Sequence, residues 1–180
     1  MGWTGFSKRC MLVIEIFLSK GKLIKDYTIK NLSKAYLEKA KSNLVTMELL
    51  GNAGKHKDVL ALPANYNGDD WIVVAAYYAM YMAALSLLAK LGYKSKTHTA
   101  TAAALEEFFV KKKLLEKIHI QNFERVNMKR EDIMALKEVR DRREIAQYSV
   151  TKRTTKEIAE ETKEDAHKFV DRVEEIFEVL

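Results

Sequence analysis

The sequence is poor in everything that breaks a helix or staples a chain. Proline occurs once, at Pro63, and glycine seven times in 180 residues, so few positions interrupt a helical run. Cysteine occurs once, at Cys10, which excludes an internal disulfide and fits a reducing compartment; a cytoplasmic location is expected. The four histidines, His56, His98, His119 and His167, are scattered without metal-ligand spacing. No His-Glu-x-x-His, paired cysteine, glycine-rich phosphate loop or nucleophile elbow occurs, so neither a metal nor a cofactor is expected. Internal repeats and low-complexity tracts are missing as well.

What remains is an ordinary globular balance, with 48% hydrophobic and 31% charged residues. The length suits one domain with a real core. A net charge of +6 suits RNA or another phosphate-bearing partner, because Lys and Arg displace counterions from a polyanion. The same excess also keeps a helical protein in solution.

Two apolar runs resemble membrane signals. Residues Lys8 to Leu18 join basic residues to an apolar stretch, but Glu15 interrupts it and no small-residue cleavage site follows. Trp71 to Ala89 carries no charge over 19 residues. Its tyrosines, Tyr77, Tyr78 and Tyr81, lie mid-segment, whereas interfacial aromatics belong at the ends of a span. The neighbouring helices are amphipathic and need an apolar partner. This segment therefore reads as the central helix of a bundle, with its tyrosines in core and interface, and no membrane is expected.

Residues 1–30 form an N-terminal extension whose structure the pattern leaves open, with a short helix or strand over Met11 to Leu18 ended by Gly21. A first helix is expected from about Leu32 to Leu50, with Leu37, Ala40, Leu44 and Met47 on one face and Gly51 and Gly54 as its stop. A loop from Asn52 to Asp69 follows. Asp69 or Asp70 caps the second helix, and Gly92 closes it. A third helix is expected from Thr97 or Thr99 to about Ile118, and a fourth from Glu131 to Gln147 with Ile133, Leu136, Val139 and Ala146 inward. A Thr154–Glu157 capping box starts a fifth, whose apolar stripe runs from Ala159 to Leu180. The expected fold is all-α, an up-and-down bundle of four to five helices over residues 31–180.

Four segments, in order, carry a resemblance: AYLEKAKSNLVTMELL (Ala35 to Leu50), AAYYAMYMAALSLLAKLGY (Ala75 to Tyr93), KSKTHTATAAAL (Lys94 to Leu105) and LKEVRDRREIAQYSV (Leu136 to Val150). Together they resemble the HEPN (higher eukaryotes and prokaryotes nucleotide-binding) family, specifically its small prokaryotic branch often encoded beside a minimal nucleotidyltransferase. The resemblance implies a helical bundle that dimerises and, in active members, a metal-independent ribonuclease of the toxin–antitoxin type. That chemistry needs a cation on the scissile phosphate and a group that moves a proton at the attacking or leaving oxygen.

At the matching positions stand Arg143, Glu144 and, where the family has histidine, Tyr148. Tyrosine titrates at about 10, so it donates a hydrogen bond at neutral pH but is a poor base. Glu144 adds negative charge where phosphate should bind, and Arg140 and Arg142 partly offset it. Arg140, Arg142 and Arg143 are therefore the expected phosphate-binding residues, and Arg143, Tyr148 and His98, a source of the missing imidazole, the catalytic candidates. The resemblance implies a degenerate ribonuclease that binds RNA or nucleotide in a homodimer cleft, or alternatively a non-catalytic subunit for a nucleotidyltransferase partner.

Overall fold

The structure, a computed structural model, describes residues 13–141 and 154–180, the side chains of 135–141 excepted. The expected all-α fold is what forms. Helix α1 (13–19) leads into strand β1 (Leu23–Lys25) and a 3-10 turn (Tyr27–Leu32). Then come α2 (Ser33–Lys55), α3 (Asp69–Lys90), strand β2 (Tyr93–Ser95), α4 (His98–Leu105), a π-type turn (Glu106–Val110), α5 (Lys117–Asp141) and α6 (Lys156–Val179).

Residues 13–32, ahead of α2 and undetermined by their pattern, have a definite structure. Gly21, at φ 61°, closes α1 with Lys22 N bonded to Phe17 O and Gly21 N to Leu18 O, both at 3.0 Å, the paired bonds of a Schellman turn. β1 then pairs antiparallel with β2, Leu23 opposite Ser95 and Lys25 opposite Tyr93. Leu23 is fully buried, so the ribbon is anchored in the core by its inward face.

Helix α3 is the centre of the bundle because almost its whole circumference is apolar. It is long and apolar enough to cross a membrane, yet 78% of its most apolar window is buried by the other helices. Leu37, Ala40, Leu44 and Met47 of α2 pack on it, as do Phe123 and Val126 of α5 and Ala166, Phe169 and Val173 of α6. Each large side chain removed from water in this way contributes about 1.5–3 kcal/mol.

Several element ends differ from expectation, each for a local reason. α2 continues through Gly51 and Gly54, because tertiary packing outweighs glycine's modest helix penalty. A Cβ on Gly51 would lie 3.3 Å from Lys163 Nζ, so the missing side chain makes room for α6. At the start of α3 the side chain that takes an end N–H belongs to Asn67, whose Oδ1 accepts from Asp69 N at 2.7 Å; Asp69 and Asp70 sit in the first turn, where they complement the dipole. The expected third helix breaks after the π-type turn, where Lys113 takes φ 59°, and this lets both Phe109 and Leu115 reach the core. The expected fourth helix starts at Lys117, well before Glu131, since Ile120, Phe123, Val126 and Ile133 are all buried at helical spacing. Thr155 rather than Thr154 caps α6, its Oγ1 accepting from Ile158 N at 3.4 Å.

Ion pairs tie α6 to its neighbours. Glu48 of α2 takes Lys163 and His167, each at 3.0 Å. Arg125 of α5 pairs with Glu161 and Asp165, and Asn122 Nδ2 donates to Asp165 Oδ1 at 2.9 Å. Asp165 is nearly buried, and desolvation pushes its carboxyl above the usual range although Arg125 pulls it back.

Candidate functional site

The candidate site is a polar and aromatic cluster where α3, the start of α4 and the middle of α5 meet. The Lys96-Thr97-His98 stretch builds one wall. Thr97 is extended (φ −138°, ψ 150°), and its hydroxyl accepts from Ala100 N at 3.3 Å, which starts α4. Thr101 Oγ1 donates to Ser95 Oγ at 2.8 Å, tying the helix back to β2. This fixes His98 on the first turn, facing inward.

The His98 ring packs on Phe123 at 4.2 Å between centroids and on Tyr77 at 5.8 Å. Tyr77 stacks in turn on Tyr81 at 5.6 Å, and Phe123 on Phe169 at 5.6 Å, which continues the aromatic column into the core. Both ring nitrogens of His98 are buried with no hydrogen-bond partner among the described residues. Desolvation pushes the ring down to about 4, against the attraction of Glu131 and with a smaller push from Arg130. His98 is thus neutral at pH 7. Tyr77 is pushed up to about 12 by burial, with Arg130 opposing.

Arg130 lies across the mouth of the cluster. Its guanidinium is 4.5 Å from the Tyr77 ring centroid, a cation–π contact, and one terminal nitrogen reaches Asn127 Oδ1 at 3.3 Å and Glu131 Oε1 at 3.4 Å. Its Nε is buried and unpaired among the described residues. Arg130, Asn127 and Phe123 fall between the third and fourth helices expected from the pattern, outside every motif named there. The signal was there, in the step Phe123, Val126, Asn127, Arg130, Ile133.

Arg130 and Arg140 share α5, about 15 Å apart along its axis at the usual rise. The Arg140 side chain, and the whole of Arg142, Arg143, Glu144 and Tyr148, lie outside the described residues. The tyrosines of α3 divide: Tyr77 is core, Tyr81 is half-buried, and Tyr78 is exposed. Among the described residues no group of His, Cys, Asp and Glu could hold a metal ion. A cleft of about 190 Å³ opens between the end of α2 and the starts of α3 and α6, where Lys55, Lys57 and Lys156 share the lining with Asp69 and Glu160, which offset most of their charge.

Fold and cluster together define an all-α bundle around an apolar helix, with a neutral imidazole and an arginine held on an aromatic column. A family model described as HEPN domain matches residues 64–179, from the loop before α3 to the end of α6. The chain belongs to the HEPN domain family. No curated protein matches it.

Proposed function

We propose that this HEPN protein is the RNA- or nucleotide-binding component of a toxin–antitoxin-type pair, acting in the cytoplasm as a homodimer. RNA lies in the cleft between two copies, with Arg140, Arg142 and Arg143 on its phosphates. The observation that supports this is α5 itself, a continuous helix from Lys117 to Asp141 that carries Arg140 and leads directly into Arg142 and Arg143. Three arginines within four residues concentrate positive charge there, and guanidinium groups grip phosphate through two parallel hydrogen bonds.

In this reading the protein cleaves RNA without a metal. The 2′-oxygen attacks the phosphorus as its proton passes to water, and Arg143 stabilises the charge on the phosphate. The P–O5′ bond breaks as the Tyr148 hydroxyl, protonated at neutral pH, gives its proton to the leaving oxygen and regains one from solvent. His98 holds its place as a neutral ring on Phe123 and takes no proton at pH 7. The test is cleavage of RNA in the presence of a chelator by wild type and Tyr148→Phe. Loss of cleavage with retained RNA binding is expected, and an unchanged rate rules out the proton-donor role.

The replacement of the motif histidine by Tyr148 also favours a second reading, a non-catalytic subunit whose tyrosine hydroxyl is modified by a nucleotidyltransferase partner. That reading expects co-purification with such a partner and no intrinsic cleavage.

A further inference from the structure

The net positive charge of the chain is not spread evenly. On α5 and α6 the cations are largely spent: Arg125 and Lys129 on Glu161, Lys163 on Glu48, Arg172 on Glu116 and Glu175. The two-stranded ribbon is different. Lys20, Lys22, Lys25, Lys30, Lys94 and Lys96 are all exposed, and none forms an ion pair with a carboxylate of the described residues. The one acid among residues 20–30 and 93–96 is Asp26, whose carboxylate starts the 3-10 turn, accepting from Thr28 N at 3.0 Å and from the Thr28 hydroxyl, with only a weaker attraction to Lys94.

The ladder sets these lysines side by side. Leu23 and Ser95 face inward, so Ile24 and Lys94, which oppose each other, face outward. Lys96 N donates to Lys22 O at 2.9 Å, which continues the pairing one step and brings two more lysines onto the outward face. Like charges opposed across strands repel, and a bound polyanion relieves that repulsion by releasing its counterions.

At one end of this row stands an aromatic ring. Tyr27 is 60% exposed, with the ammonium groups of Lys25 and Lys30 at 5.4 and 5.5 Å from its ring centroid. One side of the ring rests on Gly92, where φ is +84° and a Cβ would come within 2.8 Å of Tyr27 Cδ1. The ring is therefore seated on backbone and largely exposed, with two flexible ammonium groups over it. A flat exposed ring beside a row of unpaired cations is the chemistry that binds single-stranded nucleic acid, by base stacking and phosphate contact.

We propose that this ribbon is a docking strip for single-stranded RNA, with Tyr27 stacking one base and Lys22, Lys94 and Lys96 holding the neighbouring phosphates. The inference rests on the RNA reading above for its choice of polymer, and it assigns a second contact remote in sequence from Arg143. On the outward face of the ladder the apolar residue, Ile24, is half-buried, so the surface between Lys22, Lys94 and Lys96 is cationic rather than apolar.

The test is fluorescence polarisation of a labelled short oligouridylate with the full chain, in chelator, across a salt series. The Lys22→Gln/Lys94→Gln/Lys96→Gln variant is expected to bind about tenfold or more weakly, with a salt slope shallower by about 2, near 0.7 for each lost phosphate contact. Tyr27→Leu is expected to lose about tenfold and Tyr27→Phe to keep its affinity. Circular dichroism checks that each variant is folded. Wild-type affinity and slope in the triple variant overturn the proposal, as does a variant that loses only its binding to anionic phospholipid vesicles. If the lysine variant loses binding while Arg143→Ala cleaves normally, the ribbon stands and the arginine motif falls. If the lysine variant binds normally while Arg143→Ala loses cleavage, the ribbon alone falls.

Discussion

His98 gives the most direct physical test of the cluster between α3, α4 and α5. Its imidazole is ordinary at 6.5 and is pushed down to about 4 in the folded chain, because burial disfavours the cation. The unfolded chain therefore binds a proton at a pH where the folded chain does not. Stability from this residue is complete above 6.5 and is lost as pH falls from 6.5 toward 4. The full shift corresponds to roughly 3 kcal/mol, and partial exposure of the residue reduces this to roughly 1–2 kcal/mol. His98→Leu removes the titrating group and the two unpaired nitrogens together, so at pH 7.5 the variant should be within about 1 kcal/mol of wild type. Urea unfolding of both proteins at several pH values reads the effect. Wild type should lose roughly 1–2 kcal/mol more than His98→Leu between pH 7 and pH 4.5. His119, pushed down by its own burial, changes both proteins in the same direction and cancels in the difference. Parallel pH profiles for the two proteins refute the burial of a neutral His98.

Two further substitutions test the packing around the two surfaces. Gly92→Ala places a Cβ at φ +84° against the Tyr27 ring, which should cost about 1–2 kcal/mol from backbone strain alone and lower the melting temperature by several degrees. A melting temperature equal to wild type contradicts the close seat of Tyr27. Glu48→Gln removes the carboxylate shared by Lys163 and His167, leaving the nearly buried Lys163 with Glu160 at 3.4 Å. The expected loss is roughly 1–3 kcal/mol by chemical denaturation. Unchanged stability means that the α2–α6 ion cluster is solvated.

Long periodic stretches were legible in the sequence, and places where tertiary contacts overrule local signals were not. The uncharged run of α3 and the stripe Ala159, Thr162, Ala166, Phe169, Val173 and Ile176 of α6 read correctly, because burial at every third or fourth position leaves an unambiguous trace. Gly51 and Gly54 misled, since two glycines look like a stop whether or not a neighbouring helix fills the space beside them. The π-type turn at Glu106–Val110 carries no proline or glycine, so nothing local marked the break before α5. β1 and β2 were invisible for another reason. Each is three residues long, and their pairing joins Leu23 to Ser95 across the whole of α2 and α3. Of the candidate site, His98 was singled out from its motif, whereas Arg130 emerges only when α5 is seen to begin at Lys117 and to carry it onto Tyr77.

The claim on which the functional account depends is that Arg140, Arg142 and Arg143 act on RNA phosphate. The measurement is the first-order rate of RNA cleavage in chelator by wild type and by Arg143→Ala, with circular dichroism on both. The account predicts measurable cleavage by wild type and a loss of about 100-fold or more in the variant, at unchanged helicity. Equal rates in the two proteins, or a wild type that leaves RNA intact, contradict it.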